Sequence, residues 1–125
     1  MEIRLTLPIP PSANAIWKTV ARGGRAWTYK SGRYKRYIVD STHQIYSQVG
    51  ARRLPNRMPF ECIVRAYGLP RTRDADNLIK PLLDVLEHAG TIRDDRWCDR
   101  LTLTRETTKG NPRVEVVLIG ENRLL

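Results

Sequence analysis

The segment from Phe60 to Ala89 constrains the fold of this chain more than any other. Phe60 to Tyr67 alternates, with Phe60, Cys62, Val64 and Ala66 on one side, the period of a strand laid on a core. Gly68 and Pro70 stop it. Further on, Leu78, Ile79, Leu82, Leu83, Leu86 and Ala89 recur at three- and four-residue steps before Gly90, which predicts an amphipathic helix. Pro81 sets that helix's start near Asp76 to Leu78, because proline is tolerated only in a first turn or at a kink. Between strand and helix lies Arg-Thr-Arg-Asp-Ala-Asp-Asn-Leu-Ile-Lys, residues 71–80.

The flanking chain supplies more of both patterns. Glu2 to Leu7 alternates, with Ile3, Leu5 and Leu7 on one side, until Pro8, Pro10 and Pro11 end the strand and Ser12 to Asn14 continue as loop. Gly23-Gly24 and Gly32 suggest a mobile loop around a short strand at Ala26 to Tyr29. Tyr34, Ile38, Ser41, Ile45 and Val49 form one helical stripe ahead of Gly50. Leu101 to Thr107 alternates again, Lys109-Gly110-Asn111-Pro112 has hairpin chemistry, and Val114, Val116 and Leu118 share one face of the returning strand. The order β-β-α-β-α-β-β predicts an α+β fold: a small mixed or antiparallel sheet with two main helices packed on one face. At 125 residues, 1–125 reads as a single domain.

Charge narrows the partner. Lys and Arg number 22 against 13 Asp and Glu, a formal net charge of +9, which favours a polyanion such as nucleic acid. Lys18, Arg22, Arg25, Lys30, Arg33, Lys35 and Arg36 fall between Trp17 and Tyr37 with aromatics interleaved and no acid among them, a composition that suits phosphates and exposed bases. The bland reading is a solvated surface with buried aromatics. Cys62 and Cys98 are far apart and lack histidines at ligand spacing, so neither a zinc site nor a disulfide scaffold is indicated. With no apolar run near the ~20 residues of a membrane span and no leader pattern, the expectation is a soluble, cytoplasmic protein with no membrane partner.

Within that basic chain, Asp74 and Asp76 stand two residues apart. Residues so spaced share a face on extended chain and diverge on a helix, so the pair belongs to the extended step before the helix. A hard cation such as Mg²⁺ takes carboxylate oxygens, and Asp94-Asp95, after the helix, can supply a third carboxylate. Such an ion polarises a phosphodiester and lowers the pKa of an attacking water. Lys80 opposes the helix dipole in the first turn; holding a phosphate would explain it, and a plain exposed lysine would not need explaining. Asp-x-Asp also occurs as a mere turn or cap. No nucleophile elbow or Walker loop is present.

Taken together, these segments resemble the RusA family of Holliday-junction resolvases. The resemblance runs from Leu7-Pro8-Ile9-Pro10-Pro11-Ser12-Ala13-Asn14 through Arg73-Asp74-Ala75-Asp76-Asn77-Leu78-Ile79-Lys80 to Ala89-Gly90-Thr91-Ile92-Arg93-Asp94-Asp95. It implies a homodimer that binds four-way DNA junctions, in recombination and repair, and nicks them symmetrically with Mg²⁺ or Mn²⁺. By position, Asp74, Asp76 and Asp95 match the metal-binding catalytic aspartates and Lys80 the essential lysine. Arg73 and Asn77 match positions that support the site or contact DNA. Asn14, Lys18, Lys35 and Arg36 are the further candidates for DNA contact. Such a protein is bacterial or phage-encoded and nucleoid-associated. Arg96-Trp97-Cys98 departs from the family pattern. The alternative is a non-catalytic branched-DNA-binding protein on the same scaffold, with a nuclease for other branched or single-stranded DNA as a third reading.

Overall fold

The computed structural model describes residues 1–12 and 17–121. Six strands and two α-helices follow in order: β1 (Glu2–Leu7), β2 (Trp17–Arg22), β3 (Arg25–Lys30), α1 (Gly32–Val49), β4 (Phe60–Tyr67), α2 (Ile79–His88), β5 (Cys98–Glu106) and β6 (Arg113–Gly120). Short 3-10 turns over Ala75–Leu78 and Asp95–Trp97 precede α2 and β5.

The main sheet is mixed, in the order β1-β6-β4-β5. β6 is antiparallel to both β1 and β4, whereas β5 runs parallel to β4. Inward positions on three strands are fully or almost fully buried: Ile3, Leu5 and Leu7 on β1, Cys62, Val64 and Ala66 on β4, and Val114, Val116 and Leu118 on β6. They share one core cluster with Tyr37 and Ile45 of α1 and with Leu82, Val85 and Leu86 of α2. Burying an aliphatic side chain of this size contributes about 1.5–3 kcal/mol, so α2 is firmly seated and its polar stripe points out. Ser31 caps α1 by accepting from the Tyr34 backbone N–H at 3.2 Å.

The α+β architecture with a mixed sheet and two helices matches the sequence expectation. Two local expectations do not survive. Trp17–Arg22 is a strand that the irregular composition of the basic segment concealed, and it pairs with β3 in a separate two-stranded ribbon. The turn chemistry at residues 109–112 closes no hairpin. β5 and β6 lie on opposite sides of β4, so the chain between them passes over the end of that central strand. Gly68 makes room there. It has φ +74, and an added Cβ would meet Thr108 Cγ2 at 3.1 Å and Pro112 Cα at 3.3 Å.

Among the described residues, no helix is long and apolar enough to cross a membrane.

Candidate active site

β4, α2 and β5 form one βαβ unit, and its topology decides where the acids sit. Because β4 and β5 are parallel, with Phe60 beside Cys98 and Tyr67 beside Glu106, α2 must carry the chain back from one end of the sheet to the other. Asp74 and Asp76 follow the C-terminal end of β4, before α2. Asp94 and Asp95 come after α2, just ahead of the N-terminal end of β5. The ten residues of α2 span on the order of 15 Å. Within one chain, then, the aspartates predicted to act together occupy opposite ends of a helix.

The first acidic element is held by its backbone. From β5, the Arg105 guanidinium donates to the Pro70 carbonyl at 3.2 Å through Nη1 and to the Arg73 carbonyl through Nη2. Asp74 occupies the N-cap position of the following 3-10 turn in extended conformation (φ −68°, ψ 131°), but its side chain makes no capping hydrogen bond. Asp74 and Asp76 are both exposed. Asn77 is half-buried, and Leu78 anchors the turn in the core. Arg73 is half-buried, with Nε and Nη2 out of solvent and no hydrogen-bond partner. Burial, then the nearby Arg33, pushes its pKa down, although the Tyr37 contact works the other way.

The second acidic element is tied down by side chains. Asp94 caps the 3-10 turn by accepting from the Arg96 backbone N–H at 2.9 Å and pairs with Arg96 Nε at 3.0 Å. That backbone hydrogen bond is the main reason its carboxyl titrates below the usual range. The Asp95 backbone N–H donates to Glu87 Oε1 at 2.8 Å. Among the described residues, Glu87, Asp94 and Asp95 are the acids whose ligand oxygens gather within 4.8 Å of one another. All three are half-buried.

Lys80 lies in the first turn of α2. Its ammonium group pairs with Asp84 Oδ1 at 3.1 Å, one turn along α2, and Asp84 Oδ2 accepts from the buried Tyr34 hydroxyl at 2.9 Å. The hydrogen bond and charge of Asp84 raise the Lys80 pKa, with smaller contributions from Asp95 and Glu87. Lys80 is therefore a cation at neutral pH. A cavity of about 630 Å³ opens beside it, lined by Lys30, Tyr34, Ile38, Lys80, Asp84, Glu87, His88 and Arg93.

Of the expected DNA contacts, Lys35 and Arg36 are exposed on α1. Asn14 lies outside the described residues, and Lys18 is placed on β2 by its backbone. Glu87 and Asp84 are participants that the motif did not reveal. Their signal was present: Lys80, Asp84 and Glu87 follow one another at steps of four and three, the polar stripe of an amphipathic helix.

Two comparisons with known proteins identify relatives of this chain. The family model described as endodeoxyribonuclease RusA matches residues 8–119. A curated relative, named crossover junction endodeoxyribonuclease rusA, from Enterobacteria phage HK97, is 30% identical over 105 residues, covering 83% of this chain and 82% of its own length.

Proposed function

The chain belongs to the RusA endodeoxyribonuclease family, and from that premise we propose that it is a homodimeric, Mg²⁺- or Mn²⁺-dependent nuclease that resolves four-way DNA junctions by paired nicks. The observation that carries this reading is the clustering of Glu87, Asp94 and Asp95 oxygens within 4.8 Å, with Glu87 on the same helical stripe as the charged Lys80. Hard oxygen donors so grouped are the donor set a divalent cation such as Mg²⁺ takes.

By their positions in the family motif, Asp74, Asp76 and Asp95 would hold the ion; within one copy only Asp95 of the three belongs to the Glu87–Asp94–Asp95 cluster. When bound, it neutralises phosphate charge and acidifies a water at neutral pH. The protein's own groups do the rest. Lys80, kept protonated by Asp84, holds a non-bridging phosphate oxygen and offsets charge that develops during cleavage. Glu87 fixes the backbone of Asp95 and so the direction of its carboxylate. Arg105 fixes the loop that presents Asp74 and Asp76. Asp94 supports the turn. Arg73, Asn77, Asn14, Lys18, Lys35 and Arg36 contact the DNA; with +9 per copy, most of the binding energy comes from phosphates and weakens with salt.

Two-fold pairing suits both substrate and geometry. A four-way junction offers two equivalent strands to a C2 dimer. Opposed packing of two copies along α2 would bring the Asp95 end of one helix to the Asp76 end of the other, and each site would then draw carboxylates from both copies.

The test is Asp76→Asn on a four-way junction with Mg²⁺. Cleavage falls by more than about 100-fold, beyond the 10–100-fold typical of outer-shell changes, while junction binding is retained or tightened. Wild-type cleavage by the variant sinks the catalytic assignment. Wild-type protein that binds junctions but never nicks them in any divalent metal favours a binding protein on the same scaffold.

A further inference from the structure

The ribbon of β2 and β3 enters this reading only through Lys18, which leaves its shape and its tip without a role. The two strands pair along six rungs, from Trp17 beside Lys30 to Arg22 beside Arg25, and join no other sheet. Gly23 and Gly24 close it with positive φ at both positions, +59° and +76°, the backbone that favours a tight two-residue hairpin with strong right-handed twist. Six residues per strand give a reach of about 20 Å.

Its chemistry is one-sided in charge and slender in shape. Residues 17–30 contain no acid. Arg22 and Arg25 sit directly opposite each other at the tip, both exposed. Like charges in that relation destabilise a ribbon, a cost that an anion lying between them removes. Behind the tip, Ala21 pairs with Ala26 and Thr19 with Thr28, all exposed. Over these two rungs the face carries only small side chains. At the base, Lys30 lies 5.6 Å over the Tyr34 ring, which couples the ribbon to α1 and, through the Tyr34 hydroxyl, to Asp84 and Lys80.

We infer that the ribbon is a DNA-entering arm: it lies in the major groove of a duplex arm beside the cleavage site, with Arg22 and Arg25 clamping phosphate at the far edge. The major groove, about 12 Å wide, admits a two-stranded ribbon, whereas the minor groove, about 6 Å wide, does not. The small Ala and Thr side chains let the ribbon sit deep without demanding a base sequence. The arm would set how much duplex flanking the cut is needed. This inference rests on the proposed action on branched DNA, and its test keeps the two separable.

The probe is a synthetic four-way junction bound by wild type, by the double variant Arg22→Ala/Arg25→Ala, and by Ala21→Glu, which keeps both arginines but puts a negative charge on the slender face. Wild-type protein should shield guanine N7 from methylation within about 6 base pairs of the crossover, the reach of the arm at 3.4 Å per base pair. N7 lies in the major groove. Both variants should lose that shielding and bind about 10-fold or more weakly, and the double variant should reduce the salt slope by about 2. The deficit should vanish on junctions whose arms are cut to about 3 base pairs, half the 6 base pairs of reach. Wild-type protein that binds and cuts the junction without shielding any N7 overturns the groove placement while leaving the nuclease reading intact. So does a double variant with unchanged affinity and salt slope. Altered sedimentation of the variants, with DNA binding per assembled unit unchanged, overturns it too, because the ribbon then joins copies of the protein. Wild-type protein that fails to bind junctions at all removes the parent reading instead.

Discussion

The two acidic elements at the ends of α2 are built on opposite plans. At the Asp94–Asp95 end, side chains are committed: Asp94 caps a turn and pairs with Arg96, and the Asp95 backbone is held by Glu87. At the Asp74–Asp76 end, only backbone carbonyls are held, by Arg105, and Asp74 forgoes a capping bond although it occupies the N-cap position. Such a cap is worth about 0.5–2 kcal/mol. A carboxylate placed to stabilise the fold but left uncommitted is available to a ligand. The Asp74–Asp76 end thus offers oxygens and the Asp95 end offers a rigid frame, and the proposed function needs both at one phosphate.

That contrast predicts its largest effect in mixed dimers. Asp76→Asn and Asp95→Asn proteins are each expected to be inactive. If every site uses Asp76 from one copy and Asp95 from the other, a mixed dimer has one site with both changes and one with neither. Random exchange then restores about a quarter of wild-type nicking, since half of the dimers are mixed and each has one live site. Sites built within single chains give no restoration, and an inactive mixture with proven subunit exchange would break the comparison.

Next in size is Glu87. Glu87→Leu removes both the carboxylate and the tether to the Asp95 N–H, and a loss of about 10–100-fold in cleavage is expected, as for groups that orient a metal ligand. Glu87→Gln keeps an acceptor oxygen. Activity retained in Gln and lost in Leu assigns Glu87 to positioning; equal loss in both assigns its charge to the ion. A smaller effect, about 10-fold as at the low end of outer-shell changes, is expected for Arg105→Ala, which frees the loop at residues 70–73. Arg105→Lys cannot hold two carbonyls with one planar fork and should rescue little. Cleavage by either Arg105 variant at the wild-type rate would show that the loop keeps its shape unaided.

How far these contrasts could be read in advance depended on the range of the interactions. The alternation of Phe60, Cys62, Val64 and Ala66 and the stripe of Leu78, Leu82 and Leu86 are local patterns, and each produced the element it predicted. Of the expected extended step, Asp74 keeps the extended backbone, but Asp76 lies inside the 3-10 turn Ala75–Leu78, so the pair does not share one extended face; the two-residue spacing could not show that the turn begins between them. The parallel partnership of β4 and β5 was not legible, since no local pattern records which strand a given strand will join. It is also what sends Asp95 to the far end of α2. Leu101 shows the same limit: it alternates properly and lies beside buried Cys62, yet it is 43% exposed, because β5 is the sheet's edge. Glu87 was hidden in plain view as one more charge on a polar helix face, and only the returning Asp94–Asp95 turn gives it a partner.

The smallest effect concerns Lys80, which pairs with Asp84 between the two ends. Asp84→Asn keeps an acceptor for the Tyr34 hydroxyl but removes the charge that raises the Lys80 pKa. A raised lysine pKa stabilises the fold at every pH below the unfolded value, about 10.5, and that stabilisation is lost as pH rises through the folded value. The wild-type advantage in thermal midpoint over Asp84→Asn should therefore be flat from neutral pH to about 10 and shrink above it. With the Lys80 side chain 65% exposed, solvent screening holds the ion pair to about 0.3–0.5 kcal/mol, or about 1–3 °C in a protein of this size. Cleavage tells more than stability does. If Asp84 only braces the helix, kcat and KM stay near wild type; if it aims Lys80 at the phosphate, kcat falls severalfold with KM little changed, and Asp84→Asn adds nothing further when Lys80 is already Ala. A gap in thermal midpoint that widens above pH 10.5 would show that the pair is not what holds Lys80 in place.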